Sequence, residues 1–173
     1  MIGHAAAAPA DRRLEALAAL VLAAAVAGLP GARAAEPPPP AYPSGATAYQ
    51  ANCAVCHGAA GAGLPSLAPP LLSYPARYAA SAEGRRQLAI TVLYGMYGDI
   101  AVEGKHYAFR MPDFGQLDDA TLAAVLNFVV FDLAHAQGGV QPLAAGDIAA
   151  ERAHPLDGAA VRERRKSVAP EEP

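Results

Sequence analysis

Cysteine is nearly missing from this chain: its 173 residues hold two, Cys53 and Cys56, within the stretch NCAVCHG at positions 52–58. That scarcity excludes a closed four-ligand zinc site built on cysteine pairs, and His106, His135 and His154 stand singly, so histidine does not complete one. A disulfide between the two cysteines would close a loop of two intervening residues and restrain the unfolded chain very little. Alternating strands and helices are also absent, which removes the βαβ setting that a thioredoxin-type dithiol needs. Basic residues are outnumbered, 13 Lys and Arg against 16 Asp and Glu. Nucleic acid recognition requires clustered base, so no nucleic acid partner is expected. The main apolar run, Leu14 to Leu29, has sixteen residues and carries Glu15, short of the ~20 that span a bilayer.

That run reads instead as part of an export signal. Arg12 and Arg13 precede it, and Pro30, Gly31 and the triplet Ala32-Arg33-Ala34 follow, giving a charged region, an apolar region and an A-x-A cleavage pattern. Residues 1–34 are expected to be removed, leaving no transmembrane span in the mature chain; a retained anchor is the competing reading. Export places the protein in the periplasm, an oxidising compartment. The mature chain then carries ten basic and fourteen acidic side chains, a net of −4. Residues 35–43, containing EPPPPAYP, read as a polyproline II linker.

Ser44 is the expected N-cap of a short helix that runs into the cysteine motif. The glycines and prolines of residues 58–75 predict an irregular loop. Ser81 caps a helix whose Leu88, Val92 and Leu93 follow a helical period, ending near Tyr94 before Gly95. A short hairpin is expected around 100–102 and Tyr107. Asp118 or Asp119 caps a helix over 120–134 with Leu122, Val125, Leu126, Val129 and Leu133 on one face. Two short helical segments start at Asp147 and Asp157. Residues 138–173 read as an appendage with a disordered end.

With zinc and the dithiol removed, C-x-x-C-H is the signature of covalent haem attachment: two thioethers from Cys53 and Cys56, and the imidazole of His57 on the iron. A six-coordinate haem needs a second axial ligand. Met111 in RMPDF is held out of helical conformation by Pro112 and suits that role. Met96 reads more simply as a packed side chain, and His106 is a third option that gives a bis-histidine haem of lower potential.

Together these residues resemble the class I, mitochondrial-type cytochromes c, over about residues 44–134 of an expected cytochrome c domain at 44–137. Gly45 and Tyr49 stand eight and four residues before Cys53, as in that family, where they meet the last helix; Val125 and Phe128 are the implied partners. The resemblance implies that the Pro69 carbonyl accepts the His57 ring N–H, which makes the ligand more electron-rich. It puts Leu71, Leu72 and Phe114 against the haem. GDIAVEGKHYAFRMPDFGQLDDATLAAVLNFV is similar to the family's G-x-I-x-V-x-G…Y…M-P-x-F…L-x-D block, with Met111 as distal ligand. The implied fold is all-α, about three to five helices wrapped around one covalently attached haem c, followed by a helical C-terminal extension over 138–173.

The implied function is periplasmic electron transfer by Fe(III)/Fe(II) cycling. The chain is then not an enzyme but a carrier, or a subunit, for a periplasmic or membrane dehydrogenase, oxidase or reductase. Arg77, Arg85, Arg86 and Arg110 stand as surface charge, with steering of an acidic partner or pairing with haem propionates as the functional reading. Two other classes stay open at this point. Without Met111 on the iron, a five-coordinate haem makes a gas sensor or small peroxidase. Without haem, the chain is a structural module with a disulfide.

Overall fold

The computed structural model describes residues 38–168, so the expected leader 1–34, the start of the linker and the last five residues lie outside the described residues. Helix α1, Pro43–Asn52, begins one residue before the expected cap. Tyr42, not Ser44, occupies the N-cap and offers no side-chain bond, while Pro43 sits in the first turn, where its missing N–H costs nothing. The entry is fixed from outside the helix instead. The Ala41 and Tyr42 N–H groups donate to the two carboxylate oxygens of Asp132 at 2.7 and 3.1 Å, and the Tyr42 ring stacks on Phe131 at 5.4 Å.

A one-turn helix α2, Ala54–His57, follows at once and stops at Gly58. The loop after it is irregular as expected, up to Ser73. There the expectation of a loop to Pro75 fails, because α3 spans Tyr74–Ala79 with Pro75 in its first turn. Proline read as a breaker is here a helix starter. Helix α4, Ala82–Tyr94, is capped as expected: the Gly84 N–H donates to Ser81 Oγ at 3.0 Å, and Gly95 closes it at φ 67°.

Strands β1, Ile100–Val102, and β2, Lys105–Tyr107, pair antiparallel with Ile100 opposite Tyr107. Helix α5, Asp119–Asn127, takes Asp118 as its N-cap, whose Oδ1 accepts the Thr121 N–H at 2.8 Å. It does not run on as α-helix to residue 134. From Phe128 to Leu133 the chain widens into a π-helix, in which the Ala134 N–H reaches back five residues to the Val129 carbonyl at 2.9 Å.

Helix α1 crosses α5 at close range. A Cβ on Gly45 would stand 2.0 Å from the Ala124 carbonyl oxygen and 2.9 Å from Phe128 Cβ. Glycine is therefore required, and its nearest neighbours are Ala124 and Phe128 rather than the expected Val125. Tyr49 completes the crossing, fully buried, its ring 5.3 Å from Phe128.

Helices α6, Ala145–Arg152, and α7, Gly158–Val168, occupy the segment expected as an appendage. They belong to the core. Leu143 and Ile148 join Leu88, Leu93, Leu122, Leu126 and Val130 in one buried cluster, and Val161 is fully buried. Asn127 stitches the two parts together: its Nδ2 donates to the Leu143 carbonyl at 2.9 Å and its Oδ1 accepts the Leu143 N–H at 2.8 Å. No helix among the described residues is long and apolar enough to cross a membrane.

Candidate cofactor site

The motif lies where α1 meets α2, and this junction sets its geometry. The Cys53 N–H donates to the Tyr49 carbonyl at 2.8 Å and the His57 N–H to the Cys53 carbonyl at 3.0 Å. Near-helical backbone through the motif therefore turns Cys53, Cys56 and His57 toward one side, and all three line a single cavity. The two thiols are not joined to each other. Burial, then the charge of Cys56, pushes the Cys53 thiol up to about 11.

His57 is buried, and its Nδ1 lies 2.9 Å from the Pro69 carbonyl oxygen. A carbonyl only accepts, so Nδ1 carries the proton and the Nε2 lone pair is free. Burial lowers the His57 pKa, and the bond to Pro69 opposes that shift. The imidazole is thus held neutral, oriented and ready to ligate. Tyr49 secures the same turn by donating its hydroxyl to the Gly58 carbonyl at 2.8 Å.

The cavity is open at its mouth, and its empty space together with the adjoining solvent is about 870 Å³. Leu67, Ala68 and Pro69 wall it beside His57, and Met111, Pro112 and Phe114 line it as well. Leu71 is not a lining residue. It packs with Tyr49, Phe128 and Val129 behind the motif, and Leu72 is largely exposed. His106 does not line the cavity either; its exposed ring bonds Asp99 at 2.8 Å.

Of the four arginines singled out, Arg110 alone lines the cavity, with its guanidinium 5.5 Å over the Tyr97 ring. Arg86 pairs with Glu151 at 2.7 Å and Arg85 donates to the Ala79 carbonyl, so both are occupied in the fold.

Several lining residues escaped the sequence reading: Tyr74, Thr91, Ile100, Tyr107 and Phe109. The signal for two of them was the hairpin itself, because opposed partners Ile100 and Tyr107 share one face. Tyr74 and Thr91 come from separate helices and had no local signal.

The donor set fits one group. A fixed imidazole with a free Nε2, two thiols on the same cavity, thioether sulfur and apolar walls define a protein built for covalent haem. Among the described residues no cluster of three or more His, Cys, Asp or Glu offers a metal site of another kind. Residues 42–130 match the cytochrome c family. A cytochrome c-552 of Thermus thermophilus is 37% identical over 130 residues, covering 74% of this chain and 87% of that relative. A second cytochrome c-552 of Thermus thermophilus is 37% identical over 126 residues, 72% of this chain and 95% of the relative. The chain belongs to the cytochrome c family. It is a class I c-type cytochrome with an all-α fold, its cofactor is covalently bound haem c, and its role is haem-based electron transfer.

Proposed function

We propose that this chain carries single electrons in the periplasm, with one haem c attached through Cys53 and Cys56 and ligated by His57 and Met111. The observation that carries the ligand assignment is the 2.9 Å bond from His57 Nδ1–H to the Pro69 carbonyl, with Met111 lining the same cavity. Haem c supplies the Fe(III)/Fe(II) couple. The chain's residues do the rest. Pro69 holds the imidazole so that Nε2 faces the cavity. The thioether of Met111, a soft and neutral donor, favours the ferrous state and raises the potential. Leu67, Ile100 and Phe114 wall the site with apolar surface, which disfavours the extra charge of the ferric form.

Val55 and Phe109 line the cavity yet are 78% and 61% exposed. Two apolar side chains at the cavity rim fit the small, transient encounter surfaces of redox proteins. The partner is a periplasmic or membrane dehydrogenase, oxidase or reductase, which this chain serves as carrier or subunit. The five-coordinate sensor or peroxidase reading has no observation of its own, because thioether sulfur lines the cavity.

Export and chemistry are tested together on protein recovered from the periplasm. The expected product begins at Ala35, carries the mass of one haem through denaturation, and shows a single one-electron transition in a redox titration. A chain that keeps residues 1–34 in the cytoplasm, or loses its haem on denaturation, contradicts the proposal.

A further inference from the structure

Met96 lines the same cavity as Met111. It is only partly buried, so it is not enclosed on all sides as the packed core methionine of the sequence expectation would be. The two methionines form an isolated antiparallel bridge. The Met96 N–H donates to the Met111 carbonyl at 3.1 Å, and the Met111 N–H returns the bond to the Met96 carbonyl at 2.9 Å.

A pair that exchanges both bonds has Cα atoms about 5.5 Å apart and side chains on one face of the ladder. Both thioethers therefore belong to one wall. The approach is built in by Gly95, which sits at φ 67°. A Cβ there would come within 2.5 Å of the Met111 carbonyl oxygen.

We propose that Met96 is a reserve distal ligand: when the Met111 thioether leaves the iron, the Met96 thioether takes its place. The inference rests on the reading of Met111 as the resident ligand. One sulfur–iron bond breaks and one forms; both donors are neutral, so charge and electron count are unchanged. The consequence is a haem that stays closed to gases and peroxide when the Met111 loop opens.

The test uses holoprotein carrying Met96→Leu, Met111→Leu or both, since leucine conserves the volume of methionine. The readout is the sulfur-to-iron charge-transfer band of the ferric protein. Both single variants are expected to keep it, and the double variant to lose it and turn high-spin. Loss of the band in Met111→Leu alone overturns the reserve role and leaves Met111 as ligand. Loss in Met96→Leu alone overturns the assignment of Met111, and the reserve role with it. If Met111→Leu does not fold, methyl-labelled methionine in the unaltered ferrous protein decides. Two methyl signals displaced by the porphyrin ring current support the proposal, and a Met96 methyl at its ordinary position contradicts it.

Discussion

Tyr49 shows how much one side chain does for the motif. It is fully buried, packs on Phe128, and donates to the Gly58 carbonyl directly after His57. Tyr49→Phe removes that bond and is expected to cost about 1 kcal/mol, read as a lower urea midpoint. Its pH dependence adds a second check. Burial raises the Tyr49 pKa to about 12. The unfolded chain ionises near pH 10 while the native chain keeps the proton, so stability falls as pH rises from about 10 to about 12. Tyr49→Phe makes that alkaline decline shallower, and Tyr74, also raised by burial, keeps it from vanishing. At the motif itself, Cys53→Ala with Cys56→Ala yields a chain that releases any haem on acid extraction, measured by the mass of the denatured protein.

At the scale of elements, what the sequence disclosed was whatever depends on neighbours along the chain. Ser81 and Asp118 cap the helices expected of them, and Cys53, Cys56 and His57 share a cavity because positions i, i+3 and i+4 of near-helical backbone lie on one face. What it concealed depends on distant partners. Pro75 starts a helix instead of ending a loop, Asp132 pins the entry of α1 from some 90 residues further along the chain, and Leu71 packs behind the motif. The π-helical turn at Phe128–Leu133 had no sequence signature.

Gly45→Ala tests the helix crossing. With a Cβ 2.0 Å from the Ala124 carbonyl oxygen, α1 has to shift, at a cost of about 1–3 kcal/mol in the same urea assay. Arg152 tests the segment between Met111 and α5. Its guanidinium donates to Asp119 at 2.8 Å and to the Gly115 and Leu117 carbonyls at 2.6 and 2.8 Å. Arg152→Gln loses these bonds and is expected to cost about 1–3 kcal/mol, read as a lower midpoint in the same urea assay.

The whole molecule is more tightly joined than its charge and turn pattern suggested. The segment after Gly139 looked separable because its polar residues dominate, yet Leu143, Ile148 and Val161 are buried in or beside the main core. Such contacts are invisible to helical periodicity in segments this short. Ile148→Ala is expected to cost about 2–5 kcal/mol and to lower the unfolding midpoint of the whole protein in one transition; a separate early step confined to α6 and α7 is the opposite outcome.

The proposed ligand pair on the haem is the His57 imidazole and the Met111 thioether. The absorption spectrum of the ferric holoprotein in the far red and near infrared reads that arrangement directly. A low-spin spectrum with a sulfur-to-iron charge-transfer band is the predicted result. A high-spin spectrum without that band would contradict the assignment of sulfur to the distal side and reopen the five-coordinate reading.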